Sequence, residues 1–146
     1  MTTAAQVLSS KPDRATFTTT PTASVFDAVR HMAEKNVGAL VVKDGELVVG
    51  LVSERDYARK IVLLDRSSRG TQVKEIMSSP VMYVRPTQTV EECMALMTDK
   101  RLRHLPVMDN GKLLGLISIG DLVKQVIADH QFTIEQLEHF ISGRHA

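Results

Sequence analysis

Gly50-Leu51-Val52-Ser53-Glu54-Arg55-Asp56 decides how this chain is read, because it returns as Gly115-Leu116-Ile117-Ser118-Ile119-Gly120-Asp121. Outward from it, the separation of 65 residues that divides Asp56 from Asp121 also relates Pro21-Thr22 to Pro86-Thr87. Val25, Met32, Lys35, Leu40, Val42 and Asp44 match Val90, Met97, Lys100, Leu105, Val107 and Asp109 at the same offset, with no gap. Twelve identities over the 41 positions from 21 to 61 are far beyond chance at one ungapped offset, so the chain is two copies of one unit.

Each unit reads as strand, helix, strand, turn, strand, helix. Val25, Val29 and Met32 fall at helical spacing and recur as Val90, Met94 and Met97, giving one apolar stripe per helix. Thr89 with Glu92, and Ser24 with Asp27, read as capping-box starts. After each helix comes a short β run, 39–42 or 104–107, then the turn residues Asp44-Gly45 or Asp109-Asn110-Gly111. The return strands, 48–52 and 113–117, are nearly continuous in apolar residues, as expected of strands covered on both faces by helices. A further strand is expected before each first helix, over 15–18 and 81–84, because Pro21 and Pro86 close extended segments. The polar stretch 65–71 reads as the linker between the units. In the tail, a capping box from Thr133 to Gln136 predicts a separate helix over 133–142, stopped by Gly143, with Ile134, Leu137 and Ile141 on one face. That face is expected to cover the second lobe, with a neighbouring subunit as the other occupant. The fold class is therefore α/β (α+β), with a first repeat, N-terminal segment and linker over 1–70, a second repeat over 71–130, and a C-terminal helix and tail over 131–146.

Composition narrows the function. A net charge of +1 leaves no global field to attract nucleic acid or a membrane surface, so any anion site has to be local. With aromatics at 4% and no tryptophan, the stacking platform of a nucleic-acid-binding module is missing. The one cysteine, Cys93, cannot form an internal disulfide and fits a reducing, cytoplasmic setting. The longest apolar stretch, 47–52, is far short of the roughly 20 residues of a spanning helix, and no signal segment is visible at the start. His130, His139 and His145 match no metal-ligand spacing, and no nucleophile is paired with a base, which argues against a metal site and against a nucleotide-processing enzyme.

The chemistry concentrates at the repeated strand-to-helix junction. A first helical turn exposes unpaired N–H groups carrying partial positive charge, which suits phosphate. The hydroxyl of Ser53 or Ser118 can bond phosphate or ribose, and the carboxylate of Asp56 or Asp121, three residues on, can accept from a ribose diol. Arg55 adds a charge-assisted bond to phosphate. The same Ser-x-x-Asp spacing is also an ordinary helix cap, and its appearance twice in register is what favours a ligand.

Glycine, two apolar residues, serine, two variable residues and aspartate, in duplicate, resemble the nucleotide motif of the cystathionine-β-synthase-type (CBS) domains, and the likeness runs over about 7–127. The segments Val52-Ser53-Glu54-Arg55-Asp56 and Arg103-His104-Leu105-Pro106-Val107 are similar to common wording in that family. The resemblance implies two pseudo-symmetric β-α-β-β-α repeats packed through their sheets, with two clefts for adenosine derivatives such as AMP, ADP, ATP or NAD. It implies that Ser53 and Asp56 face Val81 and Met82, that Ser118 and Asp121 face Thr16, Val37, Gly38 and Ala39, and that Arg103 and His104 reach phosphates. It also implies a flat homodimer and a regulated protein on another chain, with no catalytic cofactor. Arg55 is matched by Gly120, and Arg103-His104 by Gly38-Ala39, so the two clefts are expected to bind unequally.

Overall fold

The computed structural model describes residues 1–11 and 16–141. Helix α1 (Ala4–Ser10) comes first, then a short strand β1 (Thr18–Thr19), helix α2 (Val25–Lys35) and the hairpin β2 (Ala39–Asp44) and β3 (Leu47–Ser53). Helix α3 (Glu54–Tyr57) passes directly into a π-helical stretch (Ala58–Val62). The second unit repeats the plan with α4 (Val90–Lys100), the hairpin β4 (His104–Asp109) and β5 (Lys112–Ser118), and helix α5 (Ile119–Ile141).

The repeat extends to backbone detail. Ala39 pairs with Ser53 and His104 with Ser118, and both hairpins carry a bulge at the equivalent step, Val42/Lys43 and Val107/Met108. Both first helices end in a left-handed residue, Asn36 and Arg101, each with φ 55°. Serine or threonine starts them: Thr89 forms the reciprocal box with Glu92, whereas Ser24 only accepts the Asp27 N–H.

Strand faces alternate between two environments. Leu40, Val42 and Val52 point to the helix side of the first lobe, and Leu105, Val107 and Ile117 to that of the second. Ala39, Val41, Val48, Leu51 and Met108 form a third cluster in which the two sheets meet, with Val81, Leu113 and Leu116 packed against it. The sheets are thus the shared wall of the molecule, as the family resemblance implies, and the second face of each is covered by the other lobe's sheet and not by helices, which corrects the reading from the continuous apolar strands. In β5 the cover is incomplete, and Leu114 is exposed.

The chain crosses between lobes at two places. Ala4 and Val7 of α1 are buried in the core of the second lobe, and Val73 and Ile76, which follow the linker, in that of the first. Both repeat glycines answer to these crossings. A Cβ at Gly50 would come within 2.8 Å of the Ser78 carbonyl, and one at Gly115 within 2.7 Å of a Leu8 methyl.

Further expectations are corrected. The strand over 15–18 is confined to Thr18–Thr19, with Ala15 outside the described residues, and the strand over 81–84 is reduced to a single parallel bridge from Val84 to Val107. Both segments are short because they have only one hydrogen-bonding neighbour and leave the sheet edge at once. The linker's last residue, Thr71, is buried and its carbonyl accepts the Val25 N–H, so that end is part of the first lobe. The tail helix does not start at Thr133: α5 runs unbroken through it, and the Thr133 hydroxyl donates to the Asp129 carbonyl one turn back instead of capping. Its apolar face does not cover the second lobe either, since Ile134, Leu137 and Ile141 are all exposed. The expected stop at Ser142 and Gly143 lies outside the described residues.

Candidate functional site

Ser53 is the last residue of β3 and the N-cap of α3, in extended geometry (φ −132°, ψ 166°). Its hydroxyl accepts the Asp56 N–H at 3.3 Å, while Asp56 Oδ2 accepts from the Ser53 N–H at 3.0 Å and from its hydroxyl at 3.1 Å. The second junction repeats this: Asp121 N–H donates to Ser118 Oγ at 3.2 Å, and Ser118 N–H to Asp121 Oδ2 at 2.9 Å. Each pair therefore caps its own helix, and the capping fixes where the carboxylate sits.

At the first junction the cap opens on a cavity of about 710 Å³ between the lobes. That volume lies within the usual range of small-molecule sites. Gly38, Ser53 and Asp56 line it from the first repeat, and the segment 100–104 from the second. Arg55, Arg59, Lys60, Lys100, Arg101 and Arg103 bring six cations to the wall against the carboxylates of Glu54 and Asp56. The crowding is visible at Arg55, whose guanidinium is held below its ordinary value chiefly by Arg59, then by partial desolvation and by Arg103, with Asp56 opposing. Such a wall is complementary to a polyanion, and phosphate oxygens would relieve the mutual repulsion of the guanidinium groups. Asp56 Oδ1 meets Lys60 Nζ at 3.4 Å, and the same ammonium donates to the Ile76 carbonyl at 2.8 Å.

The other predicted residues distribute as follows. Gly38, expected opposite Asp121, lies beside Ser53 because Ala39 pairs with Ser53 and the Glu54 N–H donates to the Gly38 carbonyl at 3.1 Å. A Cβ there would touch His104 Nε2 at 3.4 Å, so Gly38 leaves room for His104 across the lobe boundary. Ala39 is buried in the inter-lobe cluster, and Val81 packs on that cluster without lining the cavity. Met82 is 39% exposed and also away from the lining. Val37 packs on the first-lobe core, and Thr16 is half-buried just ahead of β1. Ser118 and Asp121 stand at the second junction, where Lys11 Nζ reaches Asp121 Oδ2 at 2.9 Å.

Sequence reasoning missed Arg59, Lys60, Lys100, Arg101 and Lys11. Two signals pointed to part of this set: Arg59 and Lys60 stand three and four residues beyond Asp56, hence on its helix face, and Lys100 is one of the repeat identities. Lys11 has no such signal, because it reaches Asp121 only through the fold. Among the described residues no helix is long and apolar enough to cross a membrane.

Comparison with known proteins agrees with the repeat. The family model described as CBS domain matches twice, over residues 5–63 and 73–128. A mitochondrial CBS domain-containing protein of Arabidopsis thaliana, CBSX3, is 43% identical over 82% of this chain, which spans 61% of that relative's length. The solved structure of a protein with CBS domains from Burkholderia ambifaria is 61% identical, covers 88% of this chain and 96% of its own, and superposes with a TM-score of 0.85. The structure of CBSX2 in complex with AMP is 26% identical over 89% of this chain and 99% of its own, with a TM-score of 0.73. With both halves matched and the duplicated junctions in place, this chain belongs to the CBS domain family and carries the domain as a tandem pair.

Proposed function

We propose that this protein is a regulatory module that binds an adenine nucleotide in the cavity between its repeats and passes on occupancy as a change of conformation or partner binding, without catalysing a reaction. The observation that carries the reading is the cation-lined cavity into which the Ser53–Asp56 helix start opens. Asp56 accepts from the ribose diol, the α3 N-terminus and the Ser53 hydroxyl serve the sugar or the first phosphate, and Arg55, Arg59 and Arg103 hold phosphate oxygens. The AMP complex of CBSX2 supports an adenosine ligand for this fold. ATP and NAD present the same ribose and phosphate groups, so both belong to the ligand class. Ligand contacts drawn from both repeats make occupancy sensitive to how the lobes sit, and a coupling of about 1–3 kcal/mol is enough for a switch.

Mass spectrometry of small molecules released from gently purified protein, followed by titration calorimetry with AMP, ATP and NAD, tests the reading. Asp56→Ala is expected to weaken AMP binding about 10-fold to 150-fold, the equivalent of losing roughly 1.5–3 kcal/mol of charge-assisted hydrogen bonding. Asp56→Asn, which can still cap, controls for the fold. Unchanged affinity in both variants, or conversion of any of the three nucleotides to a product, would overturn the proposal.

We also assign a second copy of this chain as a partner. The support is the exposed apolar side of α5, with Val123, Ile127, Ile134, Leu137 and Ile141.

A further inference from the structure

Helix α1 is fastened to the second lobe along its whole length. Thr3 closes a reciprocal capping box with Gln6, the Ala4 and Ala5 N–H groups donate to the Gln88 and Pro86 carbonyls at 2.8 and 3.0 Å, and the Val90 N–H donates back to Thr2 at 3.0 Å. Ala4 and Val7 are buried, and Leu8 lies over Gly115. This anchoring sets the position of Lys11, the residue that ends the helix. Its ammonium donates to the Leu116 carbonyl at 2.8 Å and to Asp121 Oδ2 at 2.9 Å, with 26% and 20% of the two side chains exposed. The equivalent contact at the first junction is looser. Lys60 lies 3.4 Å from the other oxygen of Asp56 and is 43% exposed, and it rides on the same helix as its carboxylate.

We propose that Lys11 is a built-in counter-ion of the second junction, an intramolecular competitor that occupies the Asp121 carboxylate, so that a nucleoside diol reaching Asp121 has to displace it. The second junction also lacks the compensation available at the first, because Gly120 stands where Arg55 does. The outcome is a module with one tight nucleotide site, at Ser53 and Asp56, and one held weak by its own N-terminal helix. Anything that draws α1 away from the second lobe unmasks Asp121. Burial by itself raises the Asp121 carboxyl, and the Ser118 N–H with the Lys11 ammonium outweighs it and leaves the group below its ordinary value, ionised and satisfied. This inference rests on the adenine-nucleotide reading for its ligand class.

Calorimetry with AMP on the wild-type chain, Lys11→Met and Lys11→Gln tests it, with circular dichroism as the folding control. Lys11→Met keeps the apolar stem and removes the ammonium; Lys11→Gln keeps a donor for the Leu116 carbonyl should the apolar end disturb the fold. Both are expected to tighten the weaker site by up to about fivefold, the worth of a partly exposed ion pair, and to leave the tight site unchanged. Asp121→Asn added to either variant is expected to abolish the gain. Two equal sites in the wild type, or a weaker site unaltered or loosened by both substitutions, would overturn the inference while leaving the first-site reading intact. Binding that is absent in the wild type and appears in Lys11→Met would overturn the first-site reading and sustain this one; no binding in any variant would overturn both.

Discussion

His104 opens β4 at the point where the two lobes touch, and its surroundings pull its proton both ways. Burial is the largest influence and lowers its pKa below the ordinary 6.5; Asp121 opposes, and Lys11 and Arg103 add to the lowering. In the unfolded chain the imidazole takes its proton at the ordinary value, so below pH 6.5 the unfolded state binds more protons than the folded one. Stability attributed to neutral His104 is present above that pH and is lost as pH falls toward the depressed value. The urea midpoint of the wild type is therefore expected to drop more steeply below pH 6.5 than that of His104→Gln, and parallel curves would rule the contribution out. Arg101 shows a second residue-level tension. It ends α4 with φ 55°, where Asn36 stands in the first repeat, and its side chain joins the cationic wall of the cavity. A left-handed backbone disfavours arginine more than asparagine. Arg101→Asn is expected to stabilise the fold by roughly 0.5–1 kcal/mol in urea unfolding while weakening AMP binding. Lost stability with AMP binding unchanged would show that the arginine is there for packing and not for an anion.

At the scale of elements, α5 carries the largest departure from the sequence reading. Its 23 residues extend about 34 Å, which takes it well past the lobe that holds Leu122. Thr133-x-x-Gln136 has the letters of a capping box, but a cap forms only where the chain enters the helix from an extended conformation, and at Thr133 it is already helical. Local letters cannot report that. The hairpins were legible because each pairs two short apolar runs across Gly45 or Asn110-Gly111, and the repeat doubled the signal. The Ser53–Asp56 and Ser118–Asp121 junctions were legible for the same reason. Lys11 beside Asp121, and Ser78 beside Gly50, were not, because those contacts depend on where the chain crosses between lobes. The exposed side of α5 leads to a separate expectation. Val123, Ile127, His130, Ile134, Leu137 and Ile141 follow one another at alternating steps of four and three, the spacing of a seam between two helices. Ile134→Glu with Leu137→Glu is expected to convert a dimer to a monomer in light scattering with the circular dichroism spectrum of the folded chain retained, since both side chains are exposed in the single chain. A monomeric wild type, or a dimer that survives the pair, would remove α5 as the contact.

For the molecule as a whole, the decisive property is that neither lobe is complete alone. The first lobe's core needs Val73 and Ile76 from beyond the linker, the second needs Ala4 and Val7 from the N-terminus, and the inter-lobe cluster takes Leu51 from one and Met108 from the other. The cavity is divided in the same way, with Asp56 on one side and Arg103 on the other. A ligand held by both walls thus opposes separation of the lobes as well as unfolding of either, and the module should respond to it as one cooperative unit. At AMP one hundred times its dissociation constant the stabilisation is about 2.7 kcal/mol, which for a chain of this size raises the thermal midpoint by roughly 5–10 °C. Hydrogen exchange measured with and without AMP is expected to slow in α3 and in the segment 100–104 together, and Asp56→Ala is expected to erase both effects. Protection confined to α3 would mean that the ligand sits on one lobe only, and the crossing of the chain between lobes would then serve folding without transmitting occupancy.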